Sequence, residues 1–440
     1  MNSKNDQKDN SMLYISFNQD NSFFSIGTEQ GFVIYKSYPL SEPYKRNLEG
    51  GIGVVEMVNN SNFLLLIGGG KIPKFGKNTL IIWDDYENKV ISELKFTTSI
   101  KLCKYKKNYL FVICQKKIYT FDFDTYENID TIDTGDNAKE LIAINTSPEL
   151  TLLAYPSSEG KNKISLKNIE TKEEIKSLKM QEDSVSKISI NNKGNLIATA
   201  NENGTLIRIH NIHGDLLQEF KRGHEKAIIY TICFDKDSKF MAVSSSRGTI
   251  HIFSMGSSLK KLKELEKNKN EDNNNKTNKK KKKENKKDSN KKKKKDENKT
   301  DDSDKEKEEI KENENIINDN NEKKIINEEK KEIIEEKEIN EIKEETTEEE
   351  LPENSKTFLG GIFGSKTEKS FAKIKIESQE SICAFVDNNK LVIVSSDNKY
   401  ELVDIDLKNL GEYKIIDKKD LIYNYYYYCN YYNYNYYYYY

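Results

Sequence analysis

"ISINNKGNLIATANENGTLIRIH" (188–210) and "ICFDKDSKFMAVSSSRGTIHIF" (232–253) are built on one plan. Each has an apolar start, an Asn/Asp/Gly turn and a short apolar run, followed by a polar hairpin carrying glycine and a final alternating strand. "SFNQDNSFFSIGTEQGFVIYK" (16–36) repeats the plan near the start of the chain. Gly31, Gly204 and Gly248 take the equivalent hairpin place, where positive φ suits a tight turn. Gly204 and Gly248 lie 44 residues apart, within the period of four-stranded propeller blades. "IIWDD" (81–85) adds a Trp-Asp pair, Trp83-Asp84, at a strand end.

Working outward, the repeat continues faintly through "NYLFVICQKKIYTFDFD", "LTLLAYPSSEGKNKISLKNI" and "SICAFVDNNKLVIVSSDNKYELVDID". It stops between Ser257 and about Glu350, where a lysine-rich half precedes a glutamate-rich half and no aromatic residue occurs. Such composition buries too little apolar surface to offset chain entropy, so 257–350 reads as a disordered insertion. The Tyr/Asn-rich stretch 425–440 reads as a low-complexity tail. What remains is about 320 residues, enough for seven blades of roughly 44 each. The expectation is an all-β, seven-bladed β-propeller of WD-repeat type, formed by 11–256 and 366–424. The insertion would split blade six between "TIHIF" (249–253) and "FAKIKI" (371–376). Long insertions in loops are tolerated because closure entropy grows only logarithmically with length.

The totals limit function. Net charge is −2 across 440 residues, so no global field draws the protein to nucleic acid, and any electrostatic role is local. Five scattered cysteines without a C-x-x-C spacing fit a reducing compartment. The N-terminus lacks the apolar core of a secretory signal, and no apolar run approaches the roughly 18 residues of a spanning helix. The reading is a cytosolic protein that meets membranes peripherally. Enzyme motifs fail. "GKIPKFGKN" (70–78) has the wrong spacing for a phosphate-binding loop, and "HEKAI" (224–228) lacks the second histidine of a zinc protease. Neither catalysis, a metal nor a cofactor is expected.

"FKRG" (220–223), "GGIGVVEM" (50–57), "IGGGKIPKFGKNTLIIWDD" (67–85), "SFAKIKI" (370–376) and "ICAF" (382–385) resemble, in order, segments of the PROPPIN family. These are propellers that bind polyphosphoinositides and are called WIPI proteins in animals. The resemblance implies two neighbouring headgroup pockets served by the cations of the family's F-R-R-G. For the second pocket it implies Arg222, Gly223, Ser245, Thr249 and His251. For the first it implies Asn201, Gly204, Thr205, Arg208 and Lys221. That pocket departs from the pattern, since Asn201 replaces serine, Lys221 replaces arginine, and Glu182 stands where the family has histidine. A lysine loses the bidentate geometry of arginine and a carboxylate repels phosphate, so this pocket is expected to be the weaker.

The resemblance also assigns membrane insertion to the blade-six loop. There 351–365 carries Phe358, Leu359, Ile362 and Phe363, each contributing about 1.5–3 kcal/mol if fully buried. It places a protein partner, a lipid-transfer or scaffold protein of autophagy, near Lys71, Ile72, Pro73, Lys74 and Phe75. The implied function is a monomeric effector that reads phosphatidylinositol 3-phosphate or 3,5-bisphosphate. It would recruit autophagy or endolysosomal machinery for autophagosome formation or organelle maintenance, on phagophore, endosomal or other organelle membranes. The alternatives are a WD-repeat interaction scaffold with a weakened lipid site and, further off, a nucleic-acid scaffold using the lysines of 279–295. No nucleic acid is expected, because comparable acidic charge follows that run directly. For Arg222 the plain alternative is a surface ion pair on a propeller rim.

Overall fold

The computed structural model describes residues 12–267, 367–406 and 411–421. The chain divides into two units, Met1–Glu264 with Phe363–Tyr440, and Leu265–Ile362. All the sheets belong to the first; of the second, only 265–267 are described.

Seven sheets follow one another along the chain, five of them built wholly from consecutive antiparallel strands. Blade one comprises Met12–Phe17, Phe23–Thr28, Gly31–Lys36 and Tyr44–Asn47. Blade five comprises Val185–Ile190, Leu196–Asn201, Leu206–Asn211 and Leu216–Lys221. Blade six comprises Ile229–Phe234, Phe240–Ser245, Thr249–Ser254 and, after the long interruption, Ala372–Lys375. Blade seven runs from Ser381–Phe385 to Tyr413–Asp420. The middle strands are buried on both faces, which is why they read as unbroken apolar runs such as "FLLLI" and "LIATA".

The repeating turn residue has a physical task. Asn18, Asn145, Asn191 and Asp235 each accept, through the side-chain oxygen, the first amide of the following strand. The donors are Phe23, Leu152, Leu196 and Phe240, at 2.6–3.0 Å. A side chain thus closes the turn that the backbone alone would leave open. Asp84 of the Trp-Asp pair caps the next turn in the same manner, accepting from Tyr86 and Glu87. Gly204 and Gly248 have φ of +62° and +60°, the left-handed region for which the hairpins select glycine.

Core side chains pack between neighbouring blades. The seam between blades seven and one buries Phe24, Ile26 and Tyr35 against Val392, Val394 and Tyr400. Phe24 stacks on Tyr400 at 6.3 Å, and the Tyr400 hydroxyl donates to the Ser37 carbonyl at 2.8 Å. Among the described residues, no strand crosses from one of these blades into the other. Blades one to three are also joined by polar contacts. Glu56 is buried and accepts from Lys104 at 2.7 Å, from Ser16 at 3.3 Å and from Gln19 at 3.1 Å.

One expectation needs correcting. Residues 256–267, read from 257 onward as the start of the disordered insertion, are helical. The signal was an apolar stripe at helical spacing, Met255, Leu259 and Leu262, inside an increasingly charged stretch. Met255 and Leu262 are buried, and Ser258 donates to Gln218 of blade five at 2.8 Å. Beyond the interruption, Glu368–Lys369 add a short parallel strand beside Phe220 and Lys221. The insertion beyond 267, the segment 351–365 with Phe358, Leu359, Ile362 and Phe363, and the tail 425–440 lie outside the described residues.

Candidate functional site

Arg222 follows directly on the last strand of blade five, where the chain crosses to blade six. Its amide donates to the Thr205 carbonyl at 2.9 Å, fixing the backbone at the mouth of the seam. Its side chain is buried, with Nε 2.5 Å from the Gly204 carbonyl and Nη2 2.5 Å from the Glu225 carbonyl. No carboxylate within the described residues forms an ion pair with it. The guanidinium is therefore held by neutral acceptors and keeps its charge available. Burial, and Arg247 nearby, pull its pKa below the ordinary arginine value, with Glu225 acting in the opposite sense.

Beside Arg222 opens a cavity of about 450 Å³, lined by Arg222, Gly223, His224, Glu225, Arg247 and His251. His251 is buried on the blade-six strand Thr249–Ser254, and its Nδ1 lies 3.2 Å from Ser370 Oγ. Burial, then Arg222 and Lys373, push its pKa down to about 4. Burial disfavours charge of either sign, but the part of the shift that comes from Arg222 and Lys373 reports a positive local potential, which favours an anion. Gly223 leaves open space where a Cβ would stand.

The structure thus brings Arg222, Gly223 and His251 together, but Ser245 and Thr249 do not line the cavity. Ser245 is fully buried, and its hydroxyl has no hydrogen-bond partner. Thr249 turns its hydroxyl to the Arg247 carbonyl at 3.3 Å. The two are registered opposite each other across a tight hairpin, and the residue reaching the cavity from it is Arg247. Arg247 and His224 are functional candidates that the sequence reading missed. Both stand in plain view beside the motif glycines, in "RGT" and "RGH", but only the seam between blades makes them neighbours.

A second cavity, of about 310 Å³, is lined by Gln181, Glu182, Asp183, Asn201, Leu206 and Arg208. Arg208 is engaged twice, by Glu219 at 2.7 Å and by Glu182 at 3.3 Å. Lys179 and Arg208 hold the Glu182 carboxyl below its usual range. Asn201 uses its side-chain oxygen on the Thr205 and Leu206 amides and its amide group on Asp183 and Thr205. Lys221 does not line this cavity, and Gly204 and Thr205 serve its hairpin. Acidic side chains already supply the negative charge that a phosphate would bring.

The loop after blade two's second strand is folded back on the sheet. The Gly51 amide donates to the Ile72 carbonyl at 2.8 Å, and the Lys74 amide to the Gly51 carbonyl at 3.0 Å. Phe75 packs against the core while Ile72 is 76% exposed, with Lys71, Pro73 and Lys74 exposed around it. Among the described residues no helix is long and apolar enough to cross a membrane, and no group of side chains suits a metal ion.

A family model described as PROPPIN matches residues 11–268. SVP1-like protein 2 of Candida glabrata is 31% identical over 273 residues, 54% of this chain and 61% of that protein. Autophagy-related protein 18 of Dictyostelium discoideum is 30% identical over 243 residues, 55% of this chain and 64% of that protein. The chain spans less than two thirds of the length of either relative. Among solved structures, Kluyveromyces lactis Hsv2 with its complete loop 6CD matches at a TM-score of 0.59 and 17% identity, covering 94% of this chain and 100% of that one. At that identity the likeness bears on the fold, a seven-bladed propeller.

Proposed function

The chain belongs to the PROPPIN family, and on that premise we propose that it is a peripheral membrane effector which captures one 3-phosphorylated inositol headgroup in the Arg222 cavity. Proteins of this family are non-enzymatic, phosphoinositide-binding propellers, so the protein binds and does not catalyse. The observation that carries the reading is the cavity itself. Two arginines and two histidines face one hollow of about 450 Å³ with a single carboxylate among them. Arginine's planar donor fork suits a phosphate, and its bonds to two backbone carbonyls pre-orient it at no cost in charge.

The ligand is phosphatidylinositol 3-phosphate or 3,5-bisphosphate, and the stoichiometry is one headgroup per chain, because the Arg208 cavity is already neutralised. Phe358, Leu359, Ile362 and Phe363 add a shallow apolar contact to the same membrane, and two marginal contacts on one body give useful avidity. The exposed ridge Lys71–Lys74 faces a protein partner of the autophagy or endolysosomal machinery. The protein divides between cytosol and organelle membranes.

Liposome flotation tests this. Wild type should float with vesicles containing phosphatidylinositol 3-phosphate and not with vesicles lacking it, and Arg222→Thr should stay at the bottom. The acid-filled Arg208 cavity favours a second reading, an interaction propeller with a weakened lipid site. Wild type that fails to float, or floats no better than Arg222→Thr, would support that reading instead.

A further inference from the structure

Residues 223–228 form a strap between blades five and six, and Gly223, His224 and Glu225 of it line the Arg222 cavity. Both cavity arginines hold the strap. Arg222 Nη2 donates to the Glu225 carbonyl at 2.5 Å, and Arg247 Nε donates to the Lys226 carbonyl at 3.1 Å. The Glu225 side chain then turns back and places Oε2 3.0 Å from Arg247 Nη2. That carboxylate is the sole negative charge on the cavity lining. Its side chain is 73% exposed, and that of Arg247 is 48% exposed, so packing does not hold the pair together.

We infer that Glu225 is a built-in competitor for the anion: it occupies Arg247 in the empty cavity, and only a dianionic phosphomonoester displaces it efficiently. The inference rests on the reading of this cavity as a headgroup site. A carboxylate and a phosphate ask for the same guanidinium face. A singly charged phosphodiester, such as the headgroup of phosphatidylserine, exchanges one negative charge for another and gains little. A phosphomonoester brings about 1.5–2 charges and three acceptor oxygens, enough to take Arg247 as well as Arg222. The released carboxylate stays on its strap a few ångströms away and repels whatever has replaced it. Glu225 thus lowers affinity for every anion, which takes a weakly charged one below useful binding, whereas a phosphomonoester gains enough from both arginines to stay above it. It is a filter for charge density, built on the partner arginine that the sequence reading missed.

The test compares wild type, Glu225→Gln and Glu225→Ala. Calorimetric titration with soluble inositol 1,3-bisphosphate measures affinity. Flotation on phosphatidylcholine vesicles carrying either phosphatidylinositol 3-phosphate or phosphatidylserine measures discrimination. Both variants should bind the soluble headgroup roughly three- to tenfold more tightly and should gain binding to phosphatidylserine vesicles. An unchanged or weaker headgroup affinity in both, with thermal midpoints equal to wild type, would make Glu225 a brace for Arg247 and overturn the inference. If wild type and both variants, all folded, bind no headgroup, the parent reading of the cavity falls and this inference falls with it. Binding that is normal in wild type and lost in Arg222→Thr keeps the parent reading intact whatever Glu225 does.

Discussion

Arg222 turns back onto the hairpin of its own blade, with Nε 2.5 Å from the Gly204 carbonyl oxygen. The hairpin glycine between Asn201 and Leu206, which line the Arg208 cavity, therefore positions the cation of the Arg222 cavity. Gly204 has φ +62°, and a Cβ there would stand 2.0 Å from the Ala227 carbonyl oxygen, at the end of the strap. Gly204→Ala should shift strap and guanidinium together. The left-handed backbone alone costs about 1–2 kcal/mol with a side chain. The expected outcome is a lower unfolding midpoint and at least a several-fold loss of headgroup affinity, read by thermal denaturation and calorimetry on the same sample.

The two cavities should separate cleanly under mutation. Arg208 is satisfied by Glu219 and Glu182, whereas Arg222 has no carboxylate partner among the described residues. Arg222→Ala removes charge-assisted hydrogen bonds to phosphate, worth about 1.5–3 kcal/mol, so headgroup affinity should fall by tenfold or more. Arg208→Ala should leave affinity within about twofold and stoichiometry at one, since it removes no ligand contact. A titration showing two sites in wild type and one in Arg208→Ala would refute the single-site assignment.

Acid should destabilise the propeller through two buried histidines. Burial, then Arg208, takes His210 down to about 4, with Asp215 in opposition, and its Nδ1 is buried without a hydrogen-bond partner. His251 is likewise lowered to about 4. Both folded values lie below the unfolded value near 6.5, so the unfolded chain binds more protons across that interval. Their neutral, folded form is fully favoured above about pH 6.5 and loses ground as pH falls toward 4, by up to about 3 kcal/mol each. Denaturant unfolding at pH 7.5, 6 and 5 should show a falling midpoint. His210→Gln should flatten that dependence by roughly half; an unchanged slope would show that carboxylates dominate it.

Glu56 and Lys104 should behave as a unit. The carboxylate is buried and is shared by side chains from blades one and three. Lys104→Met leaves it without its cation, which costs about 3–5 kcal/mol. The double change Lys104→Met with Glu56→Gln should recover much of that loss in denaturant unfolding. Losses that simply add would mean the ion pair is not the source.

The fold was legible because its turn chemistry repeats. An Asn or Asp before the second strand in four blades, and a glycine at the hairpins of blades one, five and six, mark the repeat, and the structure shows what these residues do. Arg222 was legible as a candidate through the resemblance of "FKRG" to a family motif, not through its spacing. Arg247 was not, because its partner arginine arrives from the neighbouring blade and no spacing along the chain encodes that approach. Ser245 and Thr249 were misplaced by treating hairpin hydroxyls as cavity lining, when one points into the interior and the other caps its own turn. Glu182 could be flagged from sequence as an acidic intruder. Its pairing with Arg208 needed coordinates.

The ring closes between blades seven and one through stacked aromatics and a tyrosine hydroxyl, with no shared strand among the described residues. Side chains alone hold that seam, so the order of the blades along the chain is not what closes the ring. Circular permutants that join Met12 to Leu421 through a linker and reopen the chain at another gap between blades should still fold, provided the seam from Leu216 to Arg247 is left uncut.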